Sequence, residues 1–183
     1  MKLLRHFKCR SISEILHARD GVSAVEFALI APLMLLLYFG CIELSFMMMV
    51  DRKVTTSTAT LGDLTARAAT VTDDDLADIF QATRMIFQPY DVYKARLRIS
   101  SLYDDKGTVK VGWSDAYNMS AYTEGQSVTV PDNLVPEDGS IIYAEIEYDY
   151  ESTLGYFITT KQTLKDKFYL RPRRVNFIKR ERG

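Results

Sequence analysis

The residues in this sequence that most need a chemical reason are one glycine and two glutamates. Gly21 closes a polar head, and Glu26 follows five residues later, at the mouth of an apolar run from Phe27 to Val50. The one charged residue inside that run is Glu43. An ionisable group in apolar surroundings is costly and normally has a partner. Were the chain cut after Gly21, the new ammonium on Val22 would lie near the Glu26 carboxylate. In packed copies, the amine of one chain could then pair with the carboxylate of the next. Such a pair is strong in low dielectric only once formed, so it favours register over loose aggregation. The plainer alternative lets Glu26 snorkel to the membrane surface. Glu43 lies 17 residues further on, which is about 26 Å along a helix. Two readings stand for it, contact with a partner helix or with lipid head groups.

Other site chemistries find little material. His6 and His17 lie in the head, Cys9 in the head and Cys41 in the apolar run, so the body after the run has neither residue type. That excludes a zinc constellation and a Ser/His or Cys/His nucleophile pair there. No cofactor or metal is expected. Asp73, Asp74 and Asp75 could be read as a calcium site. A helix cap fits them better, because the glycine and spaced acids of a calcium loop are absent. Cys41 follows Gly40, as in a lipoprotein site, but Tyr38 and Phe39 are too bulky for that pattern.

The elements that must position these residues follow from charge and hydropathy. Residues 1–21 hold five basic and two acidic side chains, and the remainder holds 18 and 22. A basic head, an apolar run and an acidic body read as membrane topology rather than nucleic-acid binding. As a helix, Phe27 to Val50 extends about 36 Å, enough to cross a hydrocarbon core of about 30 Å. The head is expected in the cytoplasm and the chain from about Asp51 onward outside. The run is too long for an ordinary secretory signal, and no small-x-small cleavage pattern follows it.

The junction Gly21-Val22-Ser23-Ala24-Val25-Glu26-Phe27 resembles the prepilin cleavage site of type IV pilin-like proteins. The longer stretch from Asp20 to Pro32, with Phe39-Gly40-Cys41-Ile42-Glu43-Leu44 at the far end, resembles the TadE-like family of pseudopilins from tight-adherence (Flp) pilus systems. The match is good over about residues 19–70. The resemblance implies cleavage between Gly21 and Val22 by a prepilin peptidase, and helix pairing through Glu26, Phe27 and Glu43. It implies a non-catalytic minor pilin or pseudopilin that assembles or primes a pilus. Its implied partners are other pilin or pseudopilin subunits, an inner-membrane assembly platform and the lipid bilayer, with no nucleic acid. Its implied location is the bacterial inner membrane, single pass, with the C-terminal domain periplasmic. The competing reading is a signal-anchored periplasmic binding or sensor module that keeps its N-terminus.

The body predicts an α+β fold. The expected organisation is a leader at 1–21, a transmembrane and stalk helix at 22–71, and an extracytoplasmic domain at 72–183. In the stalk, Val54, Leu61, Leu64 and Ala68 form a narrow apolar stripe. Thr72 or Asp73 caps a second helix that buries Leu76, Ile79, Phe80, Thr83, Ile86 and Phe87 and ends at Pro89. Tyr93 to Ile99 alternates apolar residues with Lys94, Arg96 and Arg98. Turn chemistry at Asp104 to Gly107 makes a hairpin with the strand around Val109, Val111 and Trp113. Ile142 to Tyr150 alternates with Glu145, Glu147 and Asp149, so its acids should face the basic residues of the first strand. Phe168 to Leu170 is the candidate last strand. Arg171, Arg173, Arg174, Lys179, Arg180 and Arg182 read as a loose basic tail.

Overall fold

A computed structural model describes residues 21–152 and 154–183. The readings made on the head, including its basic residues, His6, His17 and Cys9, lie outside the described residues. The chain divides into two compact units, one ending at Ile42 and the other covering Glu43–Gly183. The dividing point falls inside one continuous helix, α1, Val22–Ala66.

In the first unit α1 is apolar on every side. Val25, Phe27, Leu29, Leu33 and Leu37 are all more than half exposed. The helix is long and apolar enough to cross a membrane, and none of its most apolar 18-residue window is buried. A core helix of that composition would be covered by protein.

In the second unit α1 becomes a packing helix. Besides Glu43, its buried residues are Val50, Val54, Ser57, Thr58, Leu61, Gly62, Thr65 and Ala66, at the three- and four-residue steps that define one face. Several are polar, yet the helix tolerates them. Thr58 donates to the Val54 carbonyl at 2.8 Å and Thr65 to the Leu61 carbonyl at 2.9 Å, so these buried hydroxyls are satisfied one turn back. Gly62 permits close approach to the sheet. A Cβ there would stand 2.4 Å from Leu170 Cδ1 and 3.5 Å from the Ala144 Cβ.

The helix ends at Ala66, before the expected limit at residue 71, because Thr70–Val71 forms a short strand, β1. Helix α2, Asp73–Met85, starts as expected. Thr72 accepts from the Asp75 N–H, and Asp75 reaches back to the Thr72 N–H, a complete capping box. Leu76, Phe80, Thr83 and Phe87 are buried, with Ile79 and Ile86 partly covered. A short 3-10 turn, Val92–Lys94, leads into the sheet.

The sheet has strands β2 (Ala95–Asp105), β3 (Thr108–Tyr117), β4 (Ser140–Tyr150) and β5 (Gln162–Leu170), all antiparallel, in the order β3-β2-β4-β5. The β2–β3 turn holds Lys106 and Gly107, both with positive φ, the two-residue geometry that suits the twist of a hairpin. One sheet face carries Ala95, Leu97, Ile99, Ala144, Ile146 and Tyr148 into the core shared with both helices. Phe87 stacks on Tyr148 with centroids 4.8 Å apart. On the other face, part of the long 118–139 loop covers Leu102, Val111, Ile141 and Tyr143.

The remainder of that second face is a charge ladder. Register places Arg96 opposite Glu147 and Arg98 opposite Glu145, then Glu147 opposite Lys165 and Glu145 opposite Lys167. The acids of β4 do face the bases of β2, as the alternation predicts. They are not on a solvated outer face, however. β4 is central, and Glu145 and Asp149 are 6 % and 8 % exposed between two basic neighbours. The last strand is longer than expected, starting at Gln162.

The basic tail is not loose. Lys179–Arg180 forms β6, paired in parallel with β1. Arg180 bonds Asp115 at 2.9 and 3.1 Å and also pairs with Asp73. Arg173 pairs with Asp63, and the Trp113 indole N–H donates to the Ile178 carbonyl at 2.8 Å. Arg173 and Arg180 each find an acid contributed by an earlier element, which composition alone does not reveal.

Candidate functional site

The junction residues lie at the start of α1. Val22 is the first helical residue and Gly21 immediately precedes it. Nothing lies within 4 Å of where a Gly21 side chain would begin. Val22 is 54 % exposed, Phe27 is 70 % exposed, and Glu26 is exposed as well. Glu26 stands four residues after Val22, so the two share one helix face. Among the described residues nothing covers Gly21 or Val22, and the Glu26 carboxylate is exposed on the helix.

Glu43 is built differently. It is 1 % exposed. Its Oε1 accepts from the Tyr156 N–H at 2.7 Å, and its Oε2 accepts from Phe157 N–H at 3.0 Å and Ile158 N–H at 2.9 Å. Three successive backbone donors thus converge on one carboxylate, a nest that suits an anion. The local sequence explains the turn. Gly155 has φ +65, a left-handed conformation glycine adopts without a side-chain clash. Its N–H is held by the Ser152 hydroxyl at 3.2 Å. Neither reading of Glu43 foresaw this partner. Its bonds run to the loop between β4 and β5 of its own chain.

The charge ladder fixes the strands that launch this loop. Burial raises the Asp149 carboxyl, but bonds from Arg96, Lys161 and Thr163 outweigh it and hold the group well below the ordinary aspartate range. Bonding from Lys165, opposed by burial and reinforced by Arg96, likewise lowers Glu147. Burial, with the Glu145 bond added to it, pushes the Tyr143 phenol far above its usual range, so it stays a donor, 2.7 Å from Glu145. Arg96 and Arg98 of the basic strand face are taken up by these acids.

Sequence reasoning found Gly21, Val22, Glu26, Phe27 and Glu43, but the structure does not gather them into one cluster. Ser152, Gly155 and the 156–158 backbone were missed. The Ser-x-x-Gly spacing is a turn signal, but backbone donors leave no mark in residue type.

These features define a class: an α+β domain carried on a long N-terminal apolar helix, the architecture of a membrane-anchored protein. The family model described as TadE-like protein matches residues 21–60, in agreement with the resemblance read from the junction, and points to a protein associated with tight-adherence pili. The matched segment starts at Gly21 and takes in both Glu26 and Glu43. No curated protein and no solved structure matches the chain.

Proposed function

We propose that this protein is a minor pilin or pseudopilin that assembles or primes a tight-adherence pilus without catalysing a reaction. The observation that carries this reading is the coincidence at one place of the TadE-like match, the open Gly21–Val22 bond and the outward Glu26 on an uncovered apolar helix. A prepilin peptidase removes residues 1–21 on the cytoplasmic side of the inner membrane. The helix then leaves lipid for a bundle of other pilin or pseudopilin helices, guided by an assembly platform. Phe27 and its apolar neighbours supply packing area. The Val22 ammonium of one subunit and the Glu26 carboxylate of another set the register, because in low dielectric an unpaired partner is strongly disfavoured. The periplasmic domain selects neighbours.

The test separates processing from assembly. Glu26→Ala is expected to be cleaved at the normal rate and to fail in assembly, read by electron microscopy of surface fibres beside immunoblots of the cleaved form. Normal piliation in that variant contradicts the role of the carboxylate.

A further inference from the structure

The end of the second unit that holds Glu43 carries apolar side chains that the core does not use. On α1, Leu44, Phe46, Met48 and Met49 are 42 % to 54 % exposed. In the loop between β4 and β5, Leu154, Tyr156 and Phe157 are 39 %, 70 % and 45 % exposed. The two groups are tied together, since Tyr156, Phe157 and Ile158 all donate to Glu43. A recess of about 560 Å³ opens at the same end, where Phe46, Leu154 and Tyr150 meet the charged side chains of Asp91, Lys94 and Glu151.

The Glu43 clamp solves a particular problem. A loop cannot approach hydrocarbon with free backbone donors, because each would be left unsatisfied. Here three consecutive donors are consumed by the carboxylate, and the carboxylate is satisfied by them. The loop can therefore present Leu154, Tyr156 and Phe157 to an apolar medium. Tyrosine and phenylalanine beside an apolar helix also match the aromatic belts of membrane interfaces. We propose that the clamped 154–158 loop is a membrane-interface contact, seating the domain on the same bilayer that α1 crosses. The proposal rests on the membrane reading of α1. Its occupant is lipid at the head-group and acyl boundary, because the loop continues the exposed apolar surface of Leu44 to Met49.

Spin labels in the full chain test it. Cys9 and Cys41 are changed to Ser, and single cysteines are placed by Tyr156→Cys, Leu36→Cys and Lys106→Cys. Each protein is reconstituted in phosphatidylcholine and phosphatidylglycerol vesicles, and collision with oxygen is compared with collision with a water-soluble nickel chelate. The oxygen-to-nickel ratio at position 156 should exceed that at 106, in the exposed β2–β3 turn, several-fold and approach that at 36. A ratio at 156 equal to that at 106, with 36 still lipid-like, overturns the loop contact and leaves the anchor intact. A label at 156 shielded from both reagents overturns it in favour of a protein contact. A water-like label at 36 overturns the anchor reading and this proposal with it.

Discussion

The two stretches of α1 obey opposite rules although they belong to one helix. From Phe27 to Ile42 the helix is apolar on every face and largely exposed, whereas residues 50–66 include serine, threonine and glycine among their buried positions. The more hydrophobic stretch has no protein core to join, and the less hydrophobic one forms part of the core. Hydrophobicity therefore identifies the solvent a helix needs, while small size and local hydroxyl bonding identify where it packs closely. Glu43 stands where the second unit begins, with its carboxylate taken up by the domain's own backbone.

That contrast can be broken from either side. The largest effect should come from a charge in the first stretch. Leu36→Arg should cost about 3 kcal/mol of membrane insertion at mid-helix depth. Carbonate extraction should then release the protein, while thermal melting of the domain stays unchanged. Next comes the packed stretch. Gly62→Val should destabilise the domain by about 2 kcal/mol through overpacking against Leu170 and Ala144. Denaturant unfolding in detergent reads that loss, and membrane extraction should be normal.

A smaller, graded effect belongs to the charge ladder. The Asp149 and Glu147 carboxyls are lowered in the folded chain, so the stability they contribute is fully present above the unfolded carboxylate range, about pH 4. It is lost as pH falls through their lowered folded values. Melting temperature should be flat near neutrality and decline below about pH 4, and Arg96→Met should flatten that decline. The smallest change is Thr72→Ala, which removes the α2 cap and should cost about 1 kcal/mol, detected as a shifted urea midpoint.

Much of this arrangement was legible in the residues. Alternation of Arg96 and Arg98 against Glu145 and Glu147 gave the β2–β4 pairing, since strand period and charge agree. Thr72 or Asp73 marked the start of α2, and the structure selects Thr72, with Asp75 completing the box. The early part of β5 was not legible, because Gln162, Thr163 and Lys165 lack an apolar rhythm, and Thr163 and Lys165 are held by the acids Asp149 and Glu147 of β4. The tail was misread for a related reason. Its arginines look solvated in sequence, yet Asp63, Asp73 and Asp115 lie far away along the chain and close in space. The Glu43 partner was hidden because backbone N–H groups are common to almost every residue. The TadE-like resemblance was the clearest feature of all, since a glycine, a glutamate and an apolar run at fixed spacing need no tertiary contact to be recognised.

The mature N-terminus tests the central claim most directly, by intact mass and N-terminal peptide mapping of protein from native membranes. The account predicts a chain that begins at Val22. A chain that retains residues 1–21 in cells with an active prepilin peptidase contradicts it, and favours a tethered binding module that never leaves the membrane.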